Sequence, residues 1–166
     1  MNRYTILLLL ICIAPGTASG QTQVFGVTVP GLVSINSVKD LAEITHDETE
    51  NDQLFPWQFW TVSNLNSAGA TVTFSTNRVF THTTLPSSKR DVRLILRKWW
   101  APRWRITQRR DTTDYSSGDE TATVTAESNR AGSGIFRLGV DFIEKSFATT
   151  EGGFYEMTVI GTITPK

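Results

Sequence analysis

Short runs in this chain alternate a polar residue, usually threonine, with an apolar one at a period of two. Thr121-Ala122-Thr123-Val124-Thr125-Ala126 does so without a break. β-Branched residues at that period fit a strand with one face buried and one face wet. The run 69–75 repeats the pattern, with Val72 and Phe74 directed inward and Thr71 and Thr73 outward. Near the C-terminus Tyr155, Met157, Val159 and Ile163 share one face, while Thr158, Thr162 and Thr164 share the other. Further strands are expected at 23–29, 32–35, 58–63, 92–98, 104–108 and 135–143.

Turn chemistry separates these runs. Pro30-Gly31, the segment 66–69, Ser116-Ser117-Gly118-Asp119, Gly132-Ser133-Gly134 and Glu151-Gly152-Gly153 supply residues that tolerate turn dihedrals. Some seven to nine short strands at such spacing predict an all-β antiparallel sandwich or barrel. The segment 38–44 is the one place where a helical turn is left open. No repeat or linker calls for a second domain.

The N-terminus reads as an export signal. Arg3 gives a positive start, an apolar run follows from 6 to 14, and Pro15-Gly16 breaks any helix. Ala18-Ser19-Gly20 then supplies the small residues of a cleavage site, so residues 1–20 are expected to leave and Gln21 to become the first residue. The apolar run is too short to span a bilayer, which takes about 20 residues. The one cysteine, Cys12, lies in this segment, and Ile11 before it does not suit lipidation. Residues 21–166 are therefore expected to form one disulfide-free domain, stabilised by burial and strand pairing. Secretion to the periplasm, cell surface or medium follows, in a bacterial setting, since no glycosylation sequon is present.

The formal charge is zero, so bulk charge names no partner. Its distribution is uneven. Nine of the 16 basic residues fall between Lys89 and Arg110, with Asp91 the only acid among them, and Trp99, Trp100 and Trp104 sit in the same stretch. Read as a hairpin turning at Ala101-Pro102, the stretch sends Val92, Leu94, Leu96, Trp104 and Ile106 to the core. Arg93, Arg97, Arg103 and Arg105 then face water on neighbouring strands, where like charges repel. Three readings answer that repulsion. The six acids between Asp40 and Asp52 can neutralise the arginines, in pairs worth about 0–1 kcal/mol each. Alternatively Arg93, Arg97, Trp99, Trp100, Arg103 and Arg105 form a binding face for an anionic polymer, polysaccharide or lipopolysaccharide. Guanidinium forks suit oxyanions, and indole rings stack on flat partners. The third reading is a membrane-active surface. Nucleic acid fits the side chains but not an exported protein of near-zero charge.

No enzyme motif is found. His46 and His82 are the only histidines, and neither has a nucleophile at a recognisable spacing. No G-x-S-x-G, H-E-x-x-H or glycine-rich phosphate loop occurs. The run from His46 to Asp52 is rich in oxygen ligands but lacks the spacing and glycine of a calcium loop, and reads as an acidic surface loop. No cofactor or metal is expected.

The closing run Gly152-Gly153-Phe154-Tyr155-Glu156-Met157-Thr158-Val159-Ile160-Gly161-Thr162-Ile163-Thr164-Pro165 resembles the last strand of small bacterial surface β-sandwiches, the fimbrial-subunit-like and spore-coat-U-like families. The run 24–35 looks like their first strands. The chain lacks the disulfide that chaperone-assembled pilins usually carry. The resemblance implies an immunoglobulin-like sandwich at the cell surface, able to pair with a neighbouring subunit or another envelope protein, and no catalysis. The leading expectation is thus a structural or adhesive envelope protein, with the anionic-polymer module as the alternative. The last strand, 153–164, is expected to lie inside a sheet, since its single charge, Glu156, protects an edge poorly.

Overall fold

The computed structural model describes residues 32–166. The export signal at 1–20, Cys12, the strand expected at 23–29 and the Pro30-Gly31 turn lie outside the described residues. The described part is an antiparallel β-sandwich. Its strands are β1 (Val33–Ser37), β2 (Gln53–Leu54), β3 (Gln58–Asn64), β4 (Ala70–Thr76), β5 (Phe80–His82), β6 (Lys89–Trp100), β7 (Trp104–Gln108), β8 (Arg110–Thr112), β9 (Thr123–Ser128), β10 (Gly132–Ile143), β11 (Tyr155–Glu156) and β12 (Val159–Pro165). The larger sheet runs β1-β3-β10-β6-β5-β11, with β2 on β10 and β8 on β6, and the smaller runs β12-β4-β9-β7. The excess over the expected strand number comes from the two- and three-residue strands β2, β5, β8 and β11, too short to show a period.

The alternation works as the sequence implies. Val72, Phe74, Val124, Ala126, Leu94, Leu96, Phe136 and Leu138 are buried between the sheets. Each large apolar side chain taken fully out of water contributes roughly 1.5–3 kcal/mol. Phe136 lies at the centre, edge-on to Phe74 at 6.4 Å and to Trp104 at 5.9 Å between ring centroids.

Two expectations fail here. The stretch 89–110 is not a paired hairpin: β6 pairs with β10 in the larger sheet, whereas β7 pairs with β9 in the smaller. The chain turns at Ala101-Pro102, where the Trp104 N–H reaches the Ala101 carbonyl at 3.2 Å, and crosses from one sheet to the other. Burial of Trp104 drives this, because its indole goes between the sheets.

The closing run is also broken. β11 adds to β5 in the larger sheet, and β12 lies beside β4 at the end of the smaller one. Asn77 fixes the break, donating its N–H to the Thr158 carbonyl and accepting the Thr158 N–H on its side-chain oxygen at 2.9 Å. Among the described residues β12 is an edge strand, not an interior one. The segment 38–44 takes no helical form.

Candidate functional site

Alternation on β6 and β10 sets the outer face of the larger sheet. With Leu94, Leu96, Phe136 and Leu138 inward, Arg93, Ile95, Arg97, Arg137, Gly139 and Asp141 face out. The register places Arg137 opposite Arg97 and Asp141 opposite Arg93. On the other side of β10, Phe59 of β3 stands opposite Arg137.

Arg93 is neutralised. Its Nε donates to Asp141 Oδ2 at 2.7 Å and its Nη2 to Asp52 Oδ2 at 3.0 Å. Partial burial works against the charge, but the Asp141 bond and the fields of Asp141 and Asp52 outweigh it and raise the Arg93 pKa above its ordinary value. The acidic stretch thus supplies one of the two partners, as the neutralisation reading requires.

Arg97 and Arg137 differ. Among the described residues neither makes an ion pair or a side-chain hydrogen bond; Arg97 lies over one aromatic ring and Arg137 over two. The chain between β2 and β3 is interrupted at Pro56, which suits a break in a ladder. Phe55 turns inward to stack on Phe80 at 5.7 Å. Trp57 turns outward and lies over Gly139, where the missing side chain leaves room for the ring. Both guanidinium groups lie over Trp57, each at 5.2 Å from its centroid. Arg137 also lies over Trp99 at 4.9 Å, and Phe59 meets Trp99 edge-on at 5.7 Å. A bulge between Ile135 and Phe136 shifts the β6–β10 register beside Trp99 and Trp100, and an irregularity of this kind re-aims side chains locally. The two tryptophans are 60% and 58% exposed.

Of the six residues expected to form the binding face, Arg97 and Trp99 stand together in this cluster. Trp100, opposite Ile135, is next to it. Arg93 is on the same face but paired. Arg103 and Arg105 are elsewhere. Arg103 donates to the Ala131 carbonyl at 2.7 Å, and Arg105 is on β7 opposite Glu127 of the smaller sheet. The reason is the sheet crossing after Trp100. The sequence reading missed Trp57, Phe59 and Arg137. A signal for Arg137 was present: Arg137, Gly139 and Asp141 interrupt the apolar run 135–143 at a period of two, which marks an outer face.

His82, His46 and Asp47 hold loops. His82 Nδ1 accepts the N–H groups of Thr84 and Leu85, at 3.2 and 3.0 Å. That leaves Nε2 to donate to the Gly152 carbonyl at 3.2 Å. His46 Nδ1 accepts the Glu48 N–H at 2.9 Å, its ring stacks on Phe147 at 5.0 Å, and its Nε2 is 3.3 Å from the buried Glu144 carboxylate. Asp47 bonds Thr49 and Gln53, and the Thr49 hydroxyl, reinforced by Gln53, holds the Asp47 carboxyl below its usual range. Asp47 Oδ1 is therefore used within the loop. A cavity of about 470 Å³ opens between the sheets beside 39–42, lined by core side chains including Phe55, Trp60, Phe80, Leu138 and Met157. Among the described residues no group of histidine, cysteine and carboxylate side chains could hold a metal ion, and no helix is long and apolar enough to cross a membrane. No family model matches the chain, and no curated protein is significantly similar to it.

Proposed function

We propose that this is an exported, non-catalytic binding module that holds an anionic polysaccharide on the outer face of its larger sheet. One observation carries the reading. Arg97 and Arg137 stand opposite each other on paired strands, share the Trp57 ring, and have no carboxylate among the described residues. Like charges placed so repel, and an oxyanion set between them removes the repulsion. Contacts with Trp57, at about 0.5–1 kcal/mol each where exposed, hold the guanidinium groups in place before a ligand arrives. The exposed Trp99 and Trp100 offer flat surfaces on which a sugar ring can stack.

Affinity electrophoresis tests this with polygalacturonate and dextran sulfate as anionic polymers and dextran as a neutral one. The anionic gels should retard the protein and dextran should not. A charge-assisted contact is worth about 1.5–3 kcal/mol, so Arg97→Ala with Arg137→Ala should weaken binding by about tenfold or more. Arg105→Ala, on the other sheet, should leave it unchanged. Equal retardation by dextran, or undiminished binding by the double variant, refutes the proposal. A second reading, assembly with other copies of the chain, rests on the edge position of β12.

A further inference from the structure

From the surroundings of Arg137 we infer that the polymer is recognised through carboxylates, as in a uronate-containing polysaccharide, in preference to sulfate or phosphate esters. This rests on the binding face just proposed and adds the chemistry that it selects. Arg137 lies over two indoles, Trp57 on the Gly139 side and Trp99 on the side of the bulge near Ile135. All five N–H bonds of a guanidinium lie in its own plane, so an acceptor must come edge-on. Arg137 Nε is buried and has no hydrogen-bond partner. The reachable edge is therefore the pair of Nη groups, a fork that donates to two oxygens at once.

The shape of the space around that fork decides between oxyanions. On this inference the two indoles, with centroids 5.2 and 4.9 Å from the guanidinium carbon, bound the fork above and below, and a planar carboxylate lying in the guanidinium plane fits between them. A sulfate or phosphate ester is tetrahedral: two oxygens can meet the fork, but the others project above and below the plane, toward the rings. Arg97, more open and also over Trp57, adds charge without that restriction. Arg137 is thus the residue that sets specificity, and Arg97 contributes attraction common to all polyanions.

The experiment compares polygalacturonate, the same polymer fully methyl-esterified, and dextran sulfate of matched charge density, by titration calorimetry at one salt concentration. The wild type should bind polygalacturonate most tightly and the ester least. Arg137→Lys keeps the charge but loses the fork. It should weaken polygalacturonate binding by about tenfold, one charge-assisted contact, and bring it level with dextran sulfate, while Arg97→Lys keeps the wild-type order. Circular dichroism and melting confirm that each variant folds. Should Arg137→Lys fail to fold, Trp99→Ala, which opens one side of the fork, should likewise abolish the preference. Dextran sulfate bound as tightly as polygalacturonate by the wild type, or an undiminished preference in Arg137→Lys, overturns the inference and leaves the proposed function standing. Absence of binding to every polyanion overturns both.

Discussion

Gly139 and Trp57 share one space: a Cβ on Gly139 would lie 2.9 Å from Trp57 Cζ3 and 3.2 Å from its Cη2. Glycine here serves packing and not a turn, since it sits within β10 opposite Ile95. The ring that holds Arg97 and Arg137 rests on that gap. Gly139→Ala should push the indole outward at a cost of about 1 kcal/mol in stability, because the ring is the far end of a movable side chain. Polyanion affinity should fall further than stability does, and tryptophan emission should shift. Unchanged emission together with unchanged affinity would show that Trp57 does not organise the face.

Arg93 tests the neutralised half of the same face. Asp141 is nearly buried, and Arg93 is its partner at 2.7 Å. Arg93→Ala leaves that carboxylate without a cation, at a cost of about 1–3 kcal/mol, read as a lower denaturant midpoint with an unchanged slope. Pairing it with Asp141→Asn should recover part of the loss in a double-mutant cycle. Polyanion binding should hardly change. If Arg93→Ala instead weakens binding as much as Arg97→Ala, Arg93 is part of the ligand site.

These two cases show what the sequence disclosed. The run 121–126 and the buried faces of β4, β6 and β10 were legible, because period-two alternation reports directly which side chains leave water. The placement of Arg103 and Arg105 was not. β6 and β7 each alternate correctly, and a turn at Ala101-Pro102 is compatible both with pairing back on β6 and with crossing to the other sheet. The choice depends on where Trp104 is buried, which involves Phe136, distant in sequence. Trp57 was hidden for a similar reason. It belongs to no alternating run, and only its contacts with Gly139, Arg97 and Arg137 of other strands give it a role. Asp52, one of the six acids that the neutralisation reading offers together, pairs with Arg93, whereas Asp141 lies in a run read only as apolar.

The pH dependence of stability has two limbs. Lys145 reaches the buried Asp91 carboxylate at 2.7 Å, and that bond, against partial burial, raises its pKa above the ordinary value. The stabilisation is complete below the unfolded lysine value of about 10.4 and is lost as pH rises through the higher folded value. Glu127, bonded to Lys166 at 2.6 Å, is held below the usual carboxylate range, and Asp114 is held low by the Ser116 hydroxyl. Their contribution is present above the unfolded values of about 3.9–4.3 and disappears as pH falls through the lowered ones. These pairs should therefore contribute a fall in melting temperature at both the acid and the alkaline end. Lys145→Met should remove part of the alkaline fall, and Glu127→Gln part of the acid fall. A variant whose whole profile parallels the wild type removes its pair from this account.

The last prediction concerns the edge of the smaller sheet. The Lys166 N–H bonds the Gly69 carbonyl, and the Asn77 N–H bonds the Thr158 carbonyl. In an antiparallel ladder bonded pairs alternate, so Ile160, Thr162 and Thr164 bond to β4, while Val159, Gly161, Ile163 and Pro165 turn their backbone groups to the open edge. Pro165 therefore lacks its N–H on the outer side, where no ladder bond is lost. The edge from Val159 to Ile163 remains uncharged, and Ile160 on its outer face is half exposed, a combination that invites pairing with another chain. Deleting residues 153–166 should unfold the domain, because Tyr155, Met157, Val159 and Ile163 all pack against the core. Losing several apolar core contacts at about 2 kcal/mol or more each exceeds what a domain stable by about 5–15 kcal/mol readily tolerates. Ile160→Lys is the milder probe. It should leave melting unchanged, since the side chain points to solvent. In sedimentation velocity the wild type should associate as its concentration rises, and Ile160→Lys should stay monomeric. A wild type that remains monomeric throughout removes the assembly reading and leaves β12 as an edge that pairs with nothing but β4.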